Sequence, residues 1–188
     1  MSGPWLVVVD MQHIFGDADS EWATPGFDDI VMSIRALAER FDDRVVYTRF
    51  VAPERPEGAW VDYYAQWRFA LQPDDAPAYA LVDDLDVGDR PVVSRPTFGK
   101  WGADLDAATN SSRDLVVAGV STECCVLTTV LAAADAGAHV TVVRDAVAGP
   151  TPELRDASLA VMETYAPLVD VRTAAEIGRW SGPSSGRV

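Results

Sequence analysis

The fold is decided by Leu115-Val-Val-Ala-Gly-Val-Ser-Thr-Glu-Cys-Cys-Val126 and by the run behind it, Leu127-Thr-Thr-Val-Leu-Ala-Ala-Ala-Asp-Ala-Gly137. The first half opens on apolar and small residues, the composition of a short strand buried on both faces. It breaks at Gly119 and restarts as an uninterrupted Ala/Leu/Thr run that predicts a helix over 122–136, closed by Gly137. Ser121 or Thr122 is placed to cap that helix, so both cysteines fall in its first turn. Exposed N–H groups and the positive end of the helix dipole are expected to stabilise a thiolate there and lower its pKa. The same N–H groups could hold an oxyanion. A strand-to-helix elbow is therefore a sound place for a nucleophile, although a small apolar filler at a helix start has the same look. Neighbours on a helix diverge by about 100°, so Cys124 and Cys125 cannot face one site together.

Outward from this elbow, strands and helices alternate. Trp5–Asp10 reads as a first buried strand ending in a carboxylate, and 11–26 as a loop holding Gln12, His13 and Phe15. Residues 27–41 place Ile30, Ile34, Leu37 and Phe41 on one helical face. Residues 44–50 form a second strand, 91–94 a weak third, 115–120 the fourth, 139–145 the fifth and 168–172 the sixth. Helices are expected at 102–108, at 153–165 behind a Thr151 cap with Pro152 at the first position, and at 174–180. The long proline-bearing connection 51–78 carries Trp60, Tyr63, Tyr64, Trp67 and Phe69. Long structured loops often serve function, so this cluster is a candidate pocket wall as well as candidate core. Residues 79–90 are acidic and read as solvent-facing, and 181–188 as a flexible tail beyond a single domain spanning 1–180.

Alternation of this kind predicts a three-layer α/β/α domain with a six-stranded parallel sheet, order 3-2-1-4-5-6. The switch point of that order lies between strands 1 and 4, where Asp10 and Cys125 both arrive.

Composition narrows the partners. The chain has 188 residues and a formal net charge of −14, which argues against nucleic acid and anionic membrane surfaces. No apolar run reaches the roughly 18 residues of a membrane span, and the first residues lack a signal peptide's pattern. Two adjacent cysteines make no disulfide framework, so a cytoplasmic setting is expected. Of fifteen basic side chains, Lys100 alone is lysine. Lysine can lose its proton when desolvated and arginine cannot, so its retention in Phe98-Gly-Lys-Trp101 points to a proton-handling or charge-balancing role.

Asp, Lys and Cys together have a coherent chemistry: a thiolate attacks a carbonyl carbon, a carboxylate takes and returns the proton, and an ammonium balances the carboxylate. With these residues in view, the sequence resembles the isochorismatase-like cysteine hydrolases, the superfamily of nicotinamidases and N-carbamoylsarcosine amidase. The resemblance is carried by Val7-Val-Val-Asp-Met-Gln-His-Ile-Phe15, Phe98-Gly-Lys-Trp101, Gly119-Val-Ser-Thr-Glu-Cys-Cys-Val126 and Val142-Val-Arg-Asp-Ala146.

It implies Cys125 as nucleophile, Asp10 as acid/base, a cis peptide before Ser121, and an oxyanion hole from the N–H groups of Ser121 and Cys125. It also implies a homo-oligomer, a dimer or larger. Relatives place their lysine directly after strand 3, where this chain has Ser94 or Arg95. Either the loop brings Lys100 in or Arg95 takes the role, and the lone-lysine argument favours Lys100.

Nicotinamidases carry metal-binding histidines after strand 2, where this chain has Thr48-Arg-Phe-Val-Ala-Pro-Glu54. No metal and no cofactor is expected, since His13 and His139 are not at ligand spacing. The expected function is a metal-independent amidohydrolase for a small non-peptide amide or carbamoyl compound, working through a thioester. Phe15, Trp60, Trp67 and Trp101 are candidate substrate walls. A vinyl-ether hydrolase using Asp10 as acid and a non-catalytic family member are the alternatives.

Overall fold

The computed structural model describes residues 3–177. Six parallel strands run in the order β3-β2-β1-β4-β5-β6, as the alternation predicts. They are β1 (Trp5–Val9), β2 (Val45–Phe50), β3 (Val92–Arg95), β4 (Asp114–Gly119), β5 (His139–Val147) and β6 (Val169–Arg172). The helices are α1 (His13–Gly16), α2 (Phe27–Phe41), α3 (Trp60–Gln66), α4 (Ala103–Ala108), α5 (Leu127–Asp135), α6 (Pro152–Glu163) and α7 (Ala174–Ile177). The expected tail at 181–188, and the last residues of the expected helix at 174–180, lie outside the described residues.

Continuous apolar strands need cover on both faces, and this sheet has it. Every residue of β1 is buried. Leu6 and Val8 join one core cluster with Ile34, Leu37 and Phe41 of α2. Val7 and Val9 join another with Val130 and Ala133 of α5 and Leu159 and Met162 of α6. Successive β1 side chains thus feed opposite layers, as the pleat requires.

Two features aim the carboxyl edge of the sheet. β1 and β4 pair with Val9 opposite Gly119, so Asp10 and Val120 leave the sheet side by side. Gly119 has φ +116°, and a Cβ added there would overlap Val9 O. No other residue fits that crossing. Asp10 itself has φ +51°, the left-handed region that Asp tolerates better than most, which turns the chain sharply as the strand ends.

Three expectations change in the structure. The helix after β4 does not begin as α: Thr122–Val126 forms a π-helical turn, with Val126 N–H donating to Ser121 O at 3.1 Å, before α5 starts. Neither Ser121 nor Thr122 caps it through a side chain; Ser121 holds the cap position and makes no such bond. Residues 79–90 are not simply solvent-facing, because Tyr79, Val82 and Leu85 enter the core beside β2 and α2. The acidic residues between them stay outside, so the net composition hid a buried apolar set.

Candidate active site

Asp10, Lys100 and Cys125 meet beneath a cavity at the carboxyl edge of the sheet. Asp10 and Lys100 are fully buried, and Lys100 Nζ stands 3.0 Å from Asp10 Oδ2. Lys100 Nζ also donates to Thr97 O at 2.6 Å and lies 5.5 Å over the Phe50 ring. On its other side Asp10 is fixed by Thr48 of β2. The Thr48 hydroxyl donates to Asp10 Oδ1 at 2.6 Å and accepts from Asp10 N–H at 3.3 Å. Oδ1 is therefore engaged, whereas Oδ2 accepts no well-aligned hydrogen bond among the described residues. Its close neighbour is the Lys100 ammonium, and the Asp10 carboxyl also stands within hydrogen-bonding reach of the Cys125 thiol.

Cys125 is 4% exposed and sits in the π turn. Its thiol is pushed well above the ordinary range, first by burial and then by the Asp10 charge, with Lys100 pulling the other way. This corrects the expectation of a lowered pKa: the desolvation of the site and the adjacent carboxylate outweigh whatever the helix start contributes. Burial and the adjacent Asp10 both favour the neutral thiol. Cys124, next to it, is half-buried and free, and its thiol is raised to about 11 by burial and then by Glu123.

Thr129, one turn into α5, locks two parts of the site together. Its hydroxyl accepts from Lys100 N–H at 2.8 Å and donates to Cys125 O at 2.6 Å. The loop after β3 is thereby tied to the backbone of Cys125, which is how Lys100 arrives despite its late position in the sequence. Arg95 is elsewhere: its guanidinium donates to Trp101 O at 3.2 Å and reaches Asp104 at 3.4 Å, bracing the outside of the loop. Gln12 performs a similar tie behind Asp10. It accepts from Phe50 N–H at 2.7 Å and donates to Phe50 O at 2.9 Å and Tyr79 O at 2.8 Å.

The cavity above Cys125 has a volume of about 400 Å³, within the size range of small-molecule sites. Phe15, Trp22, Phe50, Tyr63, Trp67 and Phe98 form its apolar wall. Ser121, Cys124, Cys125, Thr24, Glu21 and Glu123 supply the polar positions.

Two of the expected wall residues are displaced. Trp60 packs against Tyr63, Tyr64 and Phe98 and so stands behind the wall. Trp101 packs against the other core cluster, under the loop that delivers Lys100. In their place Trp22 takes a central position, stacked on Phe15 at 5.9 Å and edge-on to Trp67 at 6.0 Å. Sequence reading passed over Trp22 because it lies in a loop with no periodicity around it. The Tyr63 phenol is raised to about 12 by burial and then by the two thiols.

The peptide between Val120 and Ser121 is cis. Ser121 N–H donates to no protein acceptor among the described residues, and Ser121 O receives Cys124 and Val126. No group of three or more His, Cys, Asp or Glu side chains is placed to hold a metal among the described residues. His13 instead pairs with Asp17 at 2.9 Å. No helix among the described residues is long and apolar enough to cross a membrane.

A doubly wound parallel sheet with a cysteine elbow after strand 4 and a buried carboxylate after strand 1 places the site at the topological switch point. Residues 4–176 match the Isochorismatase domain family, and the chain belongs to it. It is an isochorismatase-family hydrolase.

Solved structures with the same fold include a cysteine hydrolase from Pseudomonas syringae pv. phaseolicola (TM-score 0.80, 23% identity, covering 94% of this chain and 91% of that one). N-carbamoylsarcosine amidase from Thermoplasma acidophilum is similar at TM-score 0.74 and 22% identity, covering 96% and 100%. Pyrazinamidase of Pyrococcus horikoshii, solved with zinc, is similar at TM-score 0.73 and 24% identity, covering 92% and 99%. No curated protein matches the sequence significantly.

Proposed function

We propose that this protein is a metal-independent cysteine amidohydrolase that cleaves a small non-peptide amide or carbamoyl compound through a thioester. The observation that carries the reading is Asp10 Oδ2, a buried carboxylate oxygen held 3.0 Å from Lys100 Nζ with no well-aligned hydrogen bond of its own, beside a protonated thiol. A thiol that starts neutral needs a base at the moment of attack, and this oxygen is that base.

In the first half-reaction Cys125 Sγ bonds to the carbonyl carbon while its proton passes to Asp10 Oδ2. The carbonyl oxygen becomes an oxyanion, for which the N–H groups of Ser121 and Cys125 are the donors. Collapse breaks the C–N bond, and the proton on Asp10 moves to the departing nitrogen, which leaves as ammonia or an amine. In the second half-reaction Asp10 takes a proton from water as the oxygen attacks the thioester, and returns it to sulfur as the acid is released. Lys100 balances the carboxylate's charge throughout.

Wild-type protein is expected to release ammonia from at least one member of a panel of small amides, and Cys125→Ala to release none. Amide cleavage that survives Cys125→Ala overturns the thioester route, and turnover of a vinyl ether by both proteins, with no amide cleaved, favours the vinyl-ether alternative, which requires only an acid. Folded wild-type protein with no turnover on either substrate class favours the non-catalytic reading.

A further inference from the structure

The cavity carries charge of one sign. Glu21 and Glu123 line it, and none of its lining residues is Lys, Arg or His. Lys100 lies beneath the floor, already paired with Asp10. Neither glutamate has a cationic partner within 4 Å among the described residues. The nearby Arg155 turns its guanidinium to Asp156, at 2.8 and 3.0 Å.

Glu123 is the more telling of the two. Its Oε2 is buried and has no hydrogen-bond partner among the described residues, and Thr122 Oγ1 next to it is likewise unpartnered. Gly149 lies against that oxygen, 2.8 Å from where a Cβ would stand. Burial raises the Glu123 pKa, against hydrogen bonds from its own backbone N–H and the Cys124 thiol that lower it, and no cation compensates the charge.

The same cavity is lined by aromatic rings, with Trp22 stacked on Phe15 and edge-on to Trp67. Aromatic faces attract cations and do nothing for anions, and the attraction grows as water is excluded. An anionic substrate would enter a poorly solvated space beside two carboxylates, within a chain of net charge −14. A cation would find the rings and a carboxyl with no ionic partner in the same cavity.

We propose that the cavity selects amides bearing a positively charged ammonium group, with Glu123 as the specificity-determining residue. This rests on the amidohydrolase reading above and adds the substrate class to it. The ammonium sits among the aromatic rings near Glu123, and the amide carbon reaches Cys125. Glu123 takes no part in bond breaking.

Betaine amide and 3,3-dimethylbutanamide test this directly, because they have the same shape and differ by one positive charge. Malonamate supplies the anionic counterpart. Wild-type kcat/KM for ammonia release should favour betaine amide over its neutral isostere by about tenfold or more, with malonamate poorest. Glu123→Gln should shrink the ratio to within about threefold, chiefly through KM for the cation. Equal kcat/KM for the three amides, with release still dependent on Cys125, overturns the charge selection and leaves the amidohydrolase reading standing.

Binding gives a readout free of turnover. Tetramethylammonium should quench tryptophan fluorescence saturably in the wild type and more weakly in Glu123→Gln and Glu21→Gln. Saturable quenching without cleavage of any amide upholds the charge selection and removes the amidohydrolase reading. Absence of quenching in the wild type, with no preference for betaine amide, overturns the proposal whether or not the variants fold.

Discussion

Lys100 and Asp10 form an ion pair with neither side chain exposed to solvent, and such a pair is worth less than the damage done by breaking it. Lys100→Met should destabilise the protein by about 3–5 kcal/mol in urea unfolding, because a carboxylate is left in the interior without its partner. Adding Asp10→Asn to that variant should recover part of the loss, and a purely additive double variant would refute the coupling.

The thiols make a prediction of opposite electrostatic origin. Folding holds Cys125 well above the ordinary thiol range and Cys124 at about 11. A raised folded pKa means that the unfolded chain ionises first. The stability these thiols lend is therefore complete below about pH 8.5 and is lost as pH climbs toward the folded values, at up to about 1.4 kcal/mol per pH unit for each thiol. Urea midpoints measured at pH 8 and pH 10 should fall further for the wild type than for Cys125→Ala. An equal fall in both would mean that the Cys125 thiol is not held neutral by the fold.

At this scale the sequence exposed Asp10, Cys125 and Lys100, because each is chemically unusual where it stands. Thr48, Thr129 and Glu123 were hidden, since a threonine in a strand or an Ala-rich helix, or a glutamate at a helix start, is what propensity alone would place there.

At the scale of elements, one side chain of α5 ties the Cys125 turn to the loop that carries Lys100. Thr129 Oγ1 joins Lys100 N–H to Cys125 O, so Thr129→Val, nearly isosteric, removes both bonds without opening a cavity. It should cost about 1–3 kcal/mol of stability and lower kcat on a cleaved amide more than it raises KM, since positioning is lost and wall contacts are not. Thr128→Val, one residue earlier and exposed, loses hydroxyl bonds to Cys124 O at 2.6 Å and Cys125 O at 3.4 Å but leaves the Lys100 link, so a loss equal to that of Thr129→Val would deny that link any special part.

Gly119 works at the same level. Its φ of +116° and the approach of Val9 O leave no room for a side chain, so Gly119→Ala should destabilise by more than about 2 kcal/mol or fail to fold. Thermal unfolding with an unchanged midpoint would show that the β1–β4 crossing can relax. The π turn itself was not legible: Thr122–Val126 carries the same small and β-branched residues as the α-helix that follows, and an i to i+5 bond leaves no mark in composition. Gly119, by contrast, announced the elbow because glycine interrupts a buried apolar strand only where something comes close.

Across the molecule, strand number, order and direction were readable because buried parallel strands are written as unbroken apolar runs, and because strand–helix alternation admits few topologies. What faded toward the edges was strand length. β3 and β6 are short and partly exposed, with burial too uneven to pattern the sequence, whereas β1 and β4 are buried almost throughout. Asp10 and the Cys125 turn leave the sheet at the crossing of those two central strands.

Stability should grade the same way, because a strand paired on both sides and covered on both faces opens only when the whole sheet does. Native-state hydrogen exchange is expected to find the amides of Val7 and Val117 exchanging by global unfolding. Amides of β3 and β6 should exchange through smaller openings, with free energies below the global value. Asp10 and the Cys125 turn then hang from the most persistent part of the fold, while the loop carrying Lys100 springs from an edge. If β3 amides proved as protected as those of β1, the delivery of Lys100 would belong to the rigid core, and the tie through Thr129 would be redundant.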